Sequence, residues 1–119
     1  MDRKIEKLLF DIDLAAGRIF EFCRDKTLED YSQDAFLRSA VERQFEIVGE
    51  AINRLRREAP FLVEMITDSR RIVSFRNVLA HGYDAVSDEM VWGIIQSKLP
   101  LLRWEVQAMM DADDTNPIR

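Results

Sequence analysis

Apolar side chains return every three or four positions along almost all of this 119-residue chain. That spacing is the period of an α-helix, and nowhere does the two-residue alternation of a half-buried strand replace it. From Arg3 to about Arg24 the stripe is Ile5, Leu8, Leu9, Ile12, Ala15, Ala16, Ile19, Phe20 and Cys23. The segment from Lys26 to Ser32 is polar, with Ser32 or Asp34 as the cap of the next helix. This second helix is expected from about Ala35 to Glu58, through Phe36, Leu37, Ala40, Val41, Phe45, Val48, Ile52 and Leu55, and Pro60 stops it. Phe61 to Ile66 reads as a turn or short helix, and Thr67-Asp68-Ser69 offers the next N-cap. A third helix, roughly Arg70 to His81, carries Ile72, Val73, Phe75, Val78 and Leu79, with Gly82 placed to end it as a left-handed residue. Asp84 to Ser87 is a loop with Ser87 as N-cap. The last helix runs from about Asp88 to Met110 and is bent at Pro100, and a polar, frayed tail extends from Asp111 to Arg119. The expectation is all-α: an antiparallel bundle of four to five helices forming one domain over residues 1–110, with 111–119 as its tail.

An apolar share of 47% and a charged share of 33% are those of a globular protein with a core. Cys23 is the one cysteine, so no intrachain disulfide and no thiolate zinc site can form, and its apolar neighbours suggest a reduced, buried thiol. Asp2-Arg3-Lys4 leads directly into an amphipathic pattern rather than a signal peptide, and no uncharged run approaches the roughly 18 residues of a membrane span. A cytoplasmic protein with no membrane association is expected.

The net charge of −5 argues against broad affinity for nucleic acid, yet the charge is uneven. Residues 38–76 hold 8 basic and 6 acidic side chains and are the positive third of the chain. Within them Arg54, Arg56, Arg57, Arg70, Arg71 and Arg76 fall in 23 positions. Solvated helix faces with ion pairs would produce this pattern, and so would a local phosphate-attracting patch. On the latter reading Arg54, Arg57, Arg70 and Arg71 are candidate phosphate contacts.

The chemistry-bearing residues gather at the end of the third helix. Arg76-Asn77-Val78-Leu79-Ala80-His81-Gly82-Tyr83 includes the single histidine of the chain. Histidine is the side chain best suited to proton transfer near neutral pH, and arginine to meeting charge on a phosphate. A histidine near a helix C-terminus also favours the macrodipole, so a plain structural role competes with a catalytic one. Arg76 could likewise serve as an ion-pair partner of Glu46 or Glu50. Glu42, Glu46 and Glu50 form an acidic stripe best explained as a solvated face paired with Arg38, Arg43 or Arg54. Trp92 and Trp104 read as core or dimer contacts rather than base-stacking platforms.

The pattern Arg-Asn-x-x-x-His-x-Tyr at a helix end resembles the motif of the HEPN ribonucleases. More narrowly, it resembles that of the HepT toxins paired with a minimal nucleotidyltransferase (MNT) antitoxin. The likeness extends to Glu42 through Leu55, to Ile72-Val73-Ser74-Phe75 and to Asp88-Glu89-Met90-Val91-Trp92, and so covers most of residues 5–110. It implies a HEPN-type bundle acting as a homodimer, with a metal-independent endoribonuclease site straddling the two-fold interface and no cofactor. It also implies a type VII-like toxin–antitoxin pair, in which the nucleotidyltransferase silences the toxin by moving AMP from ATP onto Tyr83.

The residues suit that chemistry. RNA carries its own nucleophile in the 2′-OH, so the enzyme must deprotonate it, stabilise the phosphorane-like transition state and protonate the leaving 5′-oxygen. One histidine and no zinc-type ligand set leave a metal-free route ending in a 2′,3′-cyclic phosphate. The reaction wants both a base and an acid, and two copies of His81 around one phosphate would supply them, which again favours a two-fold dimer. Asn77 and His81, four apart, share a face, so Asn77 can orient the imidazole or contact phosphate. Arg76 and His81 lie roughly 140° apart on a straight helix, so Arg76 must reach round or act across the dimer. Arg76, Asn77 and His81 are thus the candidate catalytic residues, Tyr83 the modification site, and no metal ligands are assigned. The rival expectation is a non-catalytic helical interaction or nucleotide-binding subunit of a nucleotidyltransferase complex.

Overall fold

A computed structural model describes residues 1–81 and 86–114, with side chains through Ala112. The described residues form helices and no strand: α1 (Arg3–Cys23), α2 (Leu28–Gln33), α3 (Ala35–Glu58), α4 (Pro60–Glu64), α5 (Ser69–His81) and α6 (Asp88–Asp114). None of these helices is long and apolar enough to cross a membrane.

The expected all-helical bundle is present, with local differences. The polar stretch after α1 holds a short helix that its composition conceals. Thr27 and Asp30 form a reciprocal capping box, each side chain accepting from the other's backbone N–H. Tyr31, fully buried, fastens this helix to the core and packs on Trp92 with ring centroids 5.7 Å apart. Trp104, by contrast, stands 68% exposed on α6 and is not a core residue. Of the two candidate caps for α3, Asp34 is the one used, accepting from the Leu37 N–H at 3.0 Å. Ser87 caps α6, its Oγ accepting from the Met90 N–H at 3.1 Å. Pro100 lies inside α6, which continues four residues past Met110. Gly82, expected to terminate α5, lies outside the described residues.

The start of α5 departs from a simple cap. Asp68 precedes the helix with φ of +58°, in the left-handed region. Its carboxylate accepts from Lys98 of α6 at 2.9 Å. Thr67 beside it donates through its N–H and its hydroxyl to the Glu105 carboxylate of α6, at 3.0 and 2.8 Å. These contacts latch the root of α5 onto α6.

The core is where α1, α3 and α6 meet. Leu9, Ile12, Ala16 and Ile19 from α1, Val41, Val48, Ile52 and Leu55 from α3, and Val91, Ile95 and Val106 from α6 are sealed from solvent. Each large aliphatic side chain so buried contributes roughly 1.5–3 kcal/mol. Cys23 is buried at the end of α1, and burial pushes its thiol pKa up. The start of α1 (Lys4, Lys7) lies beside the end of α3 (Arg57, Glu58), so the two run antiparallel. The thirteen-residue α5 contributes less, burying Val73, Phe75 and Leu79. Phe75 meets Phe45 of α3 edge to face at 5.1 Å between centroids. On its α6 side α5 borders a largely apolar cavity of about 220 Å³, lined by Phe45, Ile72, Phe75 and Ile94, among others, with Arg71 and Lys98 also on its wall.

Candidate ribonuclease site

The site is built on α5, whose apolar positions turn one face inward and leave Ser74, Asn77 and His81 exposed on the other. Asn77 and His81 stand one helical turn apart on this open face, as their spacing requires. His81 occupies the last turn of the helix.

Arg76 lies mainly on the inward side, its side chain 27% exposed, and reaches round toward the open face. Its Nη1 donates to Asn77 Oδ1 at 2.9 Å, and its Nη2 makes a longer contact of 3.4 Å with Glu50 Oε2 on α3. Glu50 Oε1 accepts from Arg54 Nε at 3.1 Å, so one carboxylate stands between two guanidinium groups. Arg76 and Asn77 are thereby brought together on α5 and joined to α3.

The other candidate phosphate contacts divide between two places. Arg54 and Arg57 line a groove of about 510 Å³ between α1 and α3, where Lys4 and Lys7 stand among the carboxylates of Asp11, Glu50 and Glu58. Arg70 and Arg71 are exposed on the first turn of α5, and Arg71 also lines the apolar cavity. Tyr83 lies outside the described residues. Among the described residues, no group of three or more His, Cys, Asp or Glu side chains is placed to hold a metal ion. Two carboxylates of the acidic stripe of α3 are paired as expected for a solvated face, Arg43 with Glu46 at 3.2 Å and Arg54 with Glu50, whereas Glu42 is half-buried and burial raises its pKa.

Two features of the site are not visible in the sequence pattern. Lys4 and Lys7 belong to α1, more than fifty residues from the far end of α3, and only tertiary structure brings them to Arg57. Gly49 is the other. A Cβ at this position would lie 2.4 Å from the Cβ of Arg76 and 2.6 Å from its Cγ. A glycine inside an otherwise strongly periodic helix is the signal that could have marked this close approach.

An all-helical bundle presenting an arginine, an amide and a histidine on one helix is the arrangement expected of a HEPN-type ribonuclease. Residues 12–109 match the HepT-like ribonuclease family, and the chain belongs to it. It is 28% identical to a protein of Methanocaldococcus jannaschii named as an RNase, over 88% of this chain and 95% of that one. It is 29% identical to a protein of Thermococcus cleftensis named as ribonuclease HepT, over 92% of this chain and 98% of that one. A second M. jannaschii protein, named as a gamma-glutamylcyclotransferase and RNase, is 32% identical over 82% of this chain, which spans only 44% of that longer protein. No solved structure matches the chain. Its class is that of an endoribonuclease.

Proposed function

We propose that this endoribonuclease is the toxin of a HEPN/MNT toxin–antitoxin pair and cleaves RNA without a metal ion. The observation that carries the reading is the Arg76 guanidinium held 2.9 Å from Asn77, on the helix whose open face also presents His81. A two-fold dimer would place two such faces around one RNA phosphate.

The 2′-oxygen attacks phosphorus and the bond to the 5′-oxygen breaks. His81 of one copy takes the 2′-OH proton, and the imidazolium of the other copy protonates the departing 5′-oxygen. Arg76 faces the charge that grows on the phosphoryl oxygens, where a planar fork of donors serves better than an ammonium. Asn77 steadies that fork. The products are a 2′,3′-cyclic phosphate and a 5′-hydroxyl.

Silencing is a matter of position. Tyr83 comes two residues after His81. Attack of its phenolic oxygen on the α-phosphate of ATP, with loss of the phenolic proton and release of pyrophosphate, would leave an AMP group beside the histidine. The antitoxin nucleotidyltransferase would catalyse this transfer, and the added anion would exclude RNA by bulk and by like charge.

The test is cleavage of a mixed RNA pool by purified protein in excess chelator, with His81→Ala alongside and product ends read by mass spectrometry. Cyclic phosphate ends from the wild type alone are expected. Cleavage that appears only on adding a divalent metal would overturn the metal-free mechanism. No cleavage by protein free of AMP on Tyr83 would turn the reading toward a non-catalytic subunit of a nucleotidyltransferase complex.

A further inference from the structure

Glycine is a poor helix former, yet Gly49 sits in the middle of the 24-residue α3, buried next to the fully sealed Val48. What it permits is contact. The Cβ and Cγ of Arg76 lie where a side chain at 49 would begin. The next residue, Glu50, receives the far end of the same arginine through Oε2, while its own Oε1 is held by Arg54. Stem and head of Arg76 therefore rest on two consecutive residues of α3, and Asn77 fixes the head from the α5 side.

The guanidinium is held but not saturated. Two of its five N–H donors are engaged through Nη1 and Nη2, and the buried Nε has no acceptor. An arginine retained only for the fold gains by pairing its donors, because a buried donor without a partner is unfavourable. Burial closes off Nε, so an acceptor that arrives from outside, such as a phosphate, would meet the remaining Nη donors of the immobilised guanidinium.

We propose that Gly49 and Glu50 are positioning residues of the ribonuclease site, forming a seat on α3 that sets the Arg76 guanidinium before RNA binds. The proposal rests on the assignment of Arg76 to the scissile phosphate. Glu50 touches no substrate in this account. It orients the arginine, and its negative charge weakens ground-state attraction for RNA. Removing that charge without changing shape should therefore loosen the orientation and strengthen the binding together.

Glu50→Gln, Glu50→Asp and Gly49→Ala are compared with wild type for kcat and KM on a short RNA that the wild type cuts, with Arg76→Ala as reference and circular dichroism melting as the fold control. Glu50→Gln should lower kcat by roughly tenfold to a hundredfold, the scale of a misplaced catalytic group, while KM stays level or falls. Glu50→Asp, which keeps the charge, should recover part of the loss. Adding Glu50→Gln to Arg76→Ala should cost nothing further, because the residue being positioned is gone. Gly49→Ala should lower kcat beyond any fraction unfolded. Should that variant fail to fold, the isosteric Glu50→Gln still decides the matter. A kcat for Glu50→Gln within twofold of wild type, with Arg76→Ala inactive, would overturn the seat and leave the site reading standing. A raised KM at unchanged kcat would also overturn it, making Glu50 part of the RNA-binding surface. Wild-type cleavage by Arg76→Ala would remove the site reading, and the seat with it.

Discussion

Two arginines of this protein cross a glycine on a neighbouring helix, and they do so at opposite ends of the side chain. Arg103 of α6 brings its head over Gly17 of α1, with Nη2 3.0 Å from where a Cβ would be. Its Nε donates to Asp13 at 3.0 Å, a carboxylate oxygen that Gln107 also reaches, and its Cζ lies 5.8 Å from the centre of the Phe20 ring. The charge of Arg103 is directed to holding α6 on α1. Arg76 lays its stem, not its head, over Gly49, and its guanidinium has one short bond, to its own neighbour Asn77. A glycine beneath the head lets an arginine dock, whereas a glycine beneath the stem immobilises an arginine whose head stays available. Both sequences read simply as glycine in a helix.

Exchange of the two arginines for alanine separates these roles most sharply. Arg76→Ala is expected to lower RNA cleavage by roughly a hundredfold to a thousandfold, the scale of losing one preorganised donor to a transition-state anion. Its melting temperature should change little. Initial-rate assays beside a thermal melt would show this, and a variant that melts early while cleaving normally when folded would break the contrast. Gly49→Ala comes next. The atoms it meets are Cβ and Cγ, close to the backbone of α5, so the helix itself must move, at a cost of about 1–3 kcal/mol. Denaturant unfolding would measure it.

Arg103→Ala should cost about 1 kcal/mol, through a part-exposed ion pair and the packing of its stem, with cleavage by the folded protein unchanged. Acid should expose a smaller effect. The carboxyls of Asp30 and Asp68 are held below the usual range, the first by the Thr27 backbone N–H and the second by its bond to Lys98. Such groups contribute stability above the unfolded-state pKa, and it is lost as pH falls through the folded value. Glu42 works the other way. Burial first, then Asp88 and Glu46, raises its pKa, so its protonation on acidification favours the folded state. Melting temperature should therefore fall between about pH 5 and pH 3, less steeply in Asp68→Asn and more steeply in Glu42→Gln. Gly17→Ala should have the least consequence. The nearest atoms to the Cβ would be the end of the Arg103 side chain, which must give by a few tenths of an ångström, and the gain in helix propensity offsets that contact, leaving stability within about 0.5 kcal/mol.

Much of the fold was legible because long helices repeat their signal. The bounds of α3 can be read from an apolar stripe framed by Asp34 and Pro60, and the joint face of Asn77 and His81 from helical spacing alone. The short α2 was not legible, since a six-residue helix held by a capping box and one buried tyrosine has no periodicity to show. Within the site, the residue types were readable and their supports were not. The pairing of Arg76 with Glu50 is one of two choices left by the acidic stripe, and only packing selects it. The meeting of Lys4 and Lys7 with Arg57 depends on how α1 lies along α3, which local sequence does not encode.

The latch at the beginning of α5 fixes the root of the helix that carries the site, while Phe75 and Arg76 seat its middle on α3. Thr67 and Asp68 are tied to Glu105 and Lys98, while His81 stands exposed thirteen residues beyond Asp68. A shift at that root is carried along the helix to its last turn, where the imidazole sits. Amide hydrogen exchange should accordingly slow from the last turn of α5 toward its first. Changes on α6 far from the histidine, at Lys98 or Glu105, then become a means of re-aiming it.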